Sequence, residues 1–294
     1  MVASMLAAGG IRMGDRLLEA DQKNPSGYFE DLDFLAFNRQ LLLAATPQTA
    51  LGHADWGWTT SETLDCERIA AARPAAQDLI ATRQPSQLRW GWKDPRTTLL
   101  LDLWHESLIQ AGCDPAYLLL YRYPWDVVDS TLRLAFDLLL VHPEYCYPIW
   151  AFYNRKLLEF YNKHRDRCLL VSTNELWHDL DGFRALLAQK FGIELPASIE
   201  QIRDNGHWTC REDTDPLIPL VNLTTGYCVD LLQELDRQAD FSSATLWRPP
   251  DGIGLKFAGR QADSTVVELS IVIPCYNDGE FLLEAIASVE RNAP

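Results

Sequence analysis

Residues 116–130 read AYLLLYRYPWDVVDS, and this stretch decides the fold class. Residues 116–121 form an unbroken apolar run of strand length, the pattern of a strand buried on both faces of a parallel sheet. Arg122, Tyr123 and Pro124 make a turn, and residues 125–139 continue with helical character. The same order recurs on both sides. Upstream, residues 88–92 read as a short strand running into Lys93, Asp94, Pro95 and Arg96. Pro95 suits the first turn of a helix, which continues over 98–111 and stops at Gly112. Downstream, a helix over 147–164 leads to a third apolar strand at 168–171. Further helices are predicted over 179–191 and 227–238. Strand, turn and helix in repetition is the signature of an α/β fold with a parallel sheet. Ligands of such sheets bind beyond the carboxyl ends of the strands. Lys93 and Arg122 each follow a predicted strand directly, so both belong at that edge.

Ahead of this core, residues 1–8 read as a helix with Met1, Val2, Met5 and Leu6 on one face, ended by Gly9 and Gly10. A turn-rich loop, NPSGYFED at 24–31, precedes Phe34, Phe37, Leu41 and Leu42 at helical spacing. Another helix is expected over 62–81. Beyond residue 240 the character changes. RPPDG at 248–252 marks a linker, and residues 268–294 hold one strand–helix unit, too little to bury its own apolar face. The expected domains are therefore 1–240, a linker at 241–267, and the start of a second α/β domain at 268–294.

The bulk numbers bound the function. The 294 residues carry a formal net charge of −15, which argues against non-specific binding to nucleic acid or an anionic membrane. A phosphate site survives that charge, because it needs only a few placed cations and N–H groups. No run approaches the ~18 apolar residues of a membrane span, and no basic region precedes the apolar start, so a cytoplasmic protein is expected. The seven cysteines show no CxxC pair and read as reduced thiols. The six histidines form no ligand motif, so no metal is expected.

Three segments carry the chemistry. In the first, Glu30 is a loop carboxylate able to serve as a general base, with Asp31 and Asp33 as substitutes or as caps of the following helix. In the second, WGWKDPRT at 90–97, Lys93 either meets a developing anion or pairs with Asp94 or another loop carboxylate. Arg96 either touches phosphate or pairs with a nearby acid. In the third, Arg122 and Ser130 lie two helical turns apart and can both donate to a terminal phosphate, or Ser130 simply lies on a surface face. Trp56, Trp58, Trp90 and Trp92 fit a sugar-stacking wall and a core equally well.

Taken in order, the three segments resemble those of the sulfotransferases that use 3′-phosphoadenosine 5′-phosphosulfate (PAPS). The resemblance covers roughly residues 1–240. It implies a P-loop-NTPase-like three-layer sandwich around a central parallel sheet. It implies that Arg122 and Ser130, with Pro124 between them, hold the 3′-phosphate of PAPS. Lys93 then meets the bridging oxygen, Arg96 lies by the phosphates, and Glu30 activates the acceptor hydroxyl. Asp126, inside the third segment, is tolerable if it faces solvent. The resemblance also implies a first strand and an Arg-Ser-Gly-Thr-like phosphosulfate loop ahead of the first helix. The chain starts at Met1, at or inside that helix, so strand and loop are expected to be missing. ELSIVIPCYNDGEFLLEAIASV at 268–289 is similar to the opening of a family 2 glycosyltransferase of the GT-A fold, with Pro274, Tyr276 and Asn277 at matching places. That neighbour makes a carbohydrate the expected acceptor. The alternative is an inactive sulfotransferase-like remnant or scaffold joined to a glycosyltransferase. A P-loop kinase is a third reading, and the absence of GxxxxGK[ST] speaks against it.

Overall fold

A computed structural model of the chain describes residues 1–21, 24, 27–83, 89–133, 137–199 and 226–242. The strand–helix unit expected at 268–294, and the linker from 243 onward, lie outside the described residues. In chain order the elements are α1 (Val2–Ala8), α2 (Leu32–Ala45), a small antiparallel pair β1 (Gly52–His53) and β2 (Trp58–Thr59), α3 (Cys66–Ala71) and α4 (Arg73–Ala81). A 3-10 turn (Pro95–Leu100) leads into α5 (Leu101–Gln110), followed by β3 (Tyr117–Tyr121), α6 (Pro124–Arg133) and α7 (Asp137–Val141). Then come α8 (Cys146–Lys163), β4 (Cys168–Ser172), α9 (Thr173–His178), α10 (Leu180–Phe191) and α11 (Gly226–Gln238). The class is mixed α/β and mostly helical.

β3 and β4 pair in parallel, Tyr117 opposite Cys168 through Tyr121 opposite Ser172. Their two faces are both covered, as the unbroken apolar runs require. Leu119, Tyr121, Cys168 and Leu170 pack against α8 and α11 through Trp150, Leu157, Leu232 and Leu235. One residue out of phase, Leu118, Leu120, Leu169 and Val171 face α1 and α10 through Val2, Met5, Phe183 and Leu187. A second neighbour of β4 is the segment at 240–241. Ser172 N–H donates to Phe241 O at 2.8 Å, and Val171 and Phe241 bridge in parallel. The predicted strand at 88–92 shrinks to one parallel bridge between Arg12 and Trp90. Among the described residues no ladder joins that bridge to β3, so the described sheet is smaller than the sequence predicts.

Two helices depart from expectation. The one predicted over 62–81 is broken at Ala72, because Pro74 enters the first turn of α4 and has no N–H to continue α3. The one predicted over 98–111 starts as the 3-10 turn from Pro95 and becomes α-helical only at Leu101. Gly112, at φ 77°, then turns the chain into the left-handed region that favours glycine.

At the amino end of β3, two imidazoles meet. The His105 and His164 rings are 4.1 Å apart, and His105 Nδ1 lies 3.0 Å from the Tyr117 hydroxyl. Burial, then the His164 and Arg167 charges, hold the His105 pKa below 6.5, against the opposing pull of Asp102 and Glu106. The folded state therefore binds this proton less readily than the unfolded state. Stability from this site is complete above pH 6.5 and falls as pH drops toward the lowered folded value. The slope contributed by one proton is at most about 1.4 kcal/mol per pH unit. Urea midpoints measured from pH 7.5 to 5.5 are expected to fall, and His105→Gln is expected to flatten that fall. An unchanged slope in the variant would remove His105 from the account.

Candidate functional site

Glu30 is placed by a short pairing of two loops. Leu18 N–H donates to Glu30 O at 2.8 Å, Leu32 N–H donates to Arg16 O at 2.8 Å, and Leu17 bridges antiparallel to Asp31. Phe29, just before Glu30, sits at φ 55°, a conformation costing about 1–3 kcal/mol for a side-chain-bearing residue. Asp31 then caps α2 by accepting from Asp33 N–H at 2.9 Å. The result is a carboxylate that is 7% exposed and aimed at Lys93, whose Nζ donates to Glu30 Oε1 at 2.7 Å. The pair joins segments 63 residues apart. Lys93 is 41% exposed. The ammonium is open to water, so an anionic ligand can reach it, but taking it from the nearly buried Glu30 carboxylate costs more than the about 0–1 kcal/mol of an exposed pair, and the ligand's own contacts supply the difference.

The loop after Lys93 is fixed from below. Asp94, 5% exposed, caps the 3-10 turn by accepting from Arg96 N–H at 3.1 Å. Its other oxygen accepts from Asn38 Nδ2 at 2.9 Å, and Asn38 in turn accepts from Trp104 Nε1 at 3.0 Å. Arg96 folds back on Asp94 at 2.9 Å, donates to Asp55 O, and lies over the Trp56 ring. The structure thus realises the acid-pairing reading of Arg96, whose side chain is 12% exposed. Trp92 stacks on Phe34 and meets Trp104 edge-on, Trp90 lies tilted to Phe34, and both are half-buried against that cluster, while Trp58 is 2% exposed. Of the four tryptophans weighed for a sugar wall, Trp58 serves packing.

Arg122 follows β3 directly, and its carbonyl accepts from Trp150 Nε1 at 3.0 Å. Ser130, two turns on in α6, is part-buried. The intervening Asp126 does not face solvent. It is 2% exposed and accepts from Asn174 Nδ2 at 3.0 Å. Asn174 also accepts from Tyr123 N–H at 3.4 Å, and Thr173 Oγ1 donates to Tyr121 O at 2.9 Å. The first turn of α9 therefore clamps the turn that carries Arg122. Both clamp residues escaped the sequence reading. Their one signal was position, directly after the predicted strand at 168–171, in a Ser172-Thr-Asn-Glu175 capping pattern.

Two of the predicted residues, Glu30 and Lys93, are brought into contact, and Arg122 and Ser130 share the β3–α6 connection. The Met1 amine is near enough to Lys93 for its pKa to be lowered by that charge as well as, chiefly, by burial. The Met1 side chain packs with the cluster on β4 that holds Leu169 and Val171. Among the described residues, no three His, Cys, Asp or Glu side chains converge to hold a metal, and no helix is long and apolar enough to cross a membrane. Cys66, Cys146 and Cys168 are free thiols. Searches against protein families, curated proteins and solved structures return no match to this chain.

Proposed function

We propose that the chain is a sulfotransferase-like domain that takes PAPS as co-substrate and a hydroxyl, carried by a carbohydrate, as acceptor. The observation that carries the reading is the 2.7 Å approach of Lys93 to Glu30. An acid beside a cation, in a chain whose Arg122 directly follows the parallel strand β3, suits transfer between an anionic donor and a neutral acceptor. In this reading the helices on both faces of β3 and β4 are two layers of a three-layer P-loop-like sandwich.

In the reaction the acceptor oxygen attacks sulfur, the bond from sulfur to the 5′-phosphate oxygen breaks, and the hydroxyl proton passes to Glu30. Lys93 leaves Glu30 for the departing oxygen, where negative charge grows, so its attraction is greater in the transition state than before it. Arg122 and Ser130 hold the 3′-phosphate. Arg96 and Asp94 keep the Lys93 loop in place. The Glu30–Lys93 contact also favours a second reading, a scaffold joined to a glycosyltransferase, in which the two groups neutralise each other permanently. Calorimetry with adenosine 3′,5′-bisphosphate, followed by transfer from labelled PAPS to a glycan panel, separates the cases. Binding with transfer is the expected result. Binding without transfer, or no binding at all, favours the scaffold, and no binding removes the sulfotransferase reading.

A further inference from the structure

β3 and β4 end side by side, Tyr121 opposite Ser172, so the residues that follow each strand are neighbours. The ladder ends at that pair, and α6 opens on Pro124, which has no N–H. The main chain between them still needs partners, and side chains from two other elements supply them. Thr173 Oγ1 donates to Tyr121 O at 2.9 Å, Trp150 Nε1 donates to Arg122 O at 3.0 Å, and Asn174 Oδ1 accepts from Tyr123 N–H at 3.4 Å. Three consecutive residues centred on Arg122 are thus pinned at main-chain atoms. Asn174 makes a further bond, from its Nδ2 to Asp126 Oδ2 at 3.0 Å. Asp126 lies in α6 four residues before Ser130, about one helical turn. One amide therefore meets the turn that carries Arg122 through its oxygen and the helix that carries Ser130 through its nitrogen. Its orientation is set by chemistry, because the Tyr123 N–H requires an acceptor and the Asp126 carboxylate a donor. Asn174 is 5% exposed and Asp126 2%, so water competes little for the bond between them.

We propose that Asn174 is a positioning residue that sets the spacing between Arg122 and Ser130 and thereby governs recognition of the terminal phosphate the two hold together. The inference rests on the 3′-phosphate reading of that pair and adds to it a residue from outside the three segments. An arginine fork and a hydroxyl share one phosphate only when the distance between them is held. Helix geometry does not hold it here, because Ser130 lies within α6 and Arg122 lies ahead of its first residue. The bonds from Thr173 and Trp150 grip the turn alone, whereas those of Asn174 bridge turn and helix.

Calorimetry on the full chain with adenosine 3′,5′-bisphosphate and adenosine 5′-phosphate tests this. The parent is expected to prefer the bisphosphate, and Arg122→Ala to erase the preference. Asn174→Ala is expected to weaken bisphosphate binding roughly tenfold and to leave 5′-phosphate binding within about twofold, the pattern of a misplaced contact rather than a disturbed fold. Asn174→Ser, whose shorter hydroxyl can satisfy one partner but cannot bridge both, is expected to show the same selective loss with less disturbance of the buried site. Ser130→Ala is expected to cost less in the Asn174→Ala background than in the parent, since the hydroxyl is no longer held beside the fork. A parent without preference for the bisphosphate removes the 3′-phosphate reading and this inference together. A parent whose preference depends on Arg122 but survives intact in Asn174→Ala and Asn174→Ser overturns the inference alone. Equal losses for both nucleotides, or full additivity with Ser130→Ala, overturn it as well.

Discussion

Replacing Arg122 with alanine is expected to weaken binding of adenosine 3′,5′-bisphosphate by roughly 30-fold to several thousandfold, the effect of losing about 2–5 kcal/mol at a charge-assisted contact. The fold should survive the change. The bond that anchors this turn to α8 runs from Trp150 Nε1 to the Arg122 carbonyl, which alanine keeps. The clamp from α9 likewise holds main-chain atoms of Tyr121 and Tyr123 and the Asp126 carboxylate, all of which the change keeps. The assignment to the 3′-phosphate is checked by a cycle. Adenosine 5′-phosphate lacks the group that Arg122 is proposed to hold, so parent and variant should bind it equally. Arg122→Lys should fall between, because an ammonium supplies the charge without the two-pronged geometry of a guanidinium. If the variant lost equal affinity for both nucleotides, Arg122 would not be reading the 3′-phosphate.

How far the sequence could be read follows from the kind of signal each element carries. β3 and β4 were legible because strands covered on both faces must be apolar throughout, and few other local structures produce runs such as YLLLY and CLLV. The cap on α2 was legible because a carboxylate just ahead of a helix has a short-range task, and Asp31 performs it. That Arg122 directly follows a strand came from the same apolar run, whereas the strand expected ahead of Lys93 is reduced to the bridge at Trp90. The partners of those residues were not legible. Nothing local tells that Lys93 meets Glu30, 63 residues away. Asp126 is tolerable in the expected phosphate segment only if it faces solvent. The structure buries it instead under Asn174, a partner 48 residues on. The break between α3 and α4 had its signal in Pro74, whose position in the first turn of a new helix outweighed the helical periodicity on either side. The left-handed Phe29 had no signal at all, since the long-range pairing of residues 16–18 with 30–32 imposes it.

That pairing rests on one buried ion cluster, and breaking it should produce the largest loss of stability in the molecule. Arg83 is 7% exposed, and its Nη2 lies 3.1 Å from both oxygens of Asp31 and 2.7 Å from Asp33. The Asp31 side chain is 0% exposed and also accepts from Asp15 N–H at 2.9 Å. Gly14, at φ 138°, lets the loop pass so close that an added Cβ would lie 2.6 Å from Asp31. Leucine at position 83 supplies no charge to replace the cation. Arg83→Leu therefore leaves a carboxylate buried without its partner, a loss of about 3–5 kcal/mol from a total of only about 5–15. Asp31→Asn keeps an acceptor for the α2 cap and removes the charge, so the double variant Arg83→Leu/Asp31→Asn should recover part of that loss. Chemical denaturation of the four proteins measures this directly, and full additivity of the two substitutions would show that the ion pair does not carry the cluster. The consequence reaches the site through one peptide bond. Asp31 adjoins Glu30, and the strained Phe29 adjoins it on the other side, so loosening Asp31 releases the backbone that points Glu30 at Lys93. A stability variant placed outside the proposed site is thus expected to reduce transfer more than nucleotide binding, because Glu30 acts on the acceptor while Arg122 holds the nucleotide.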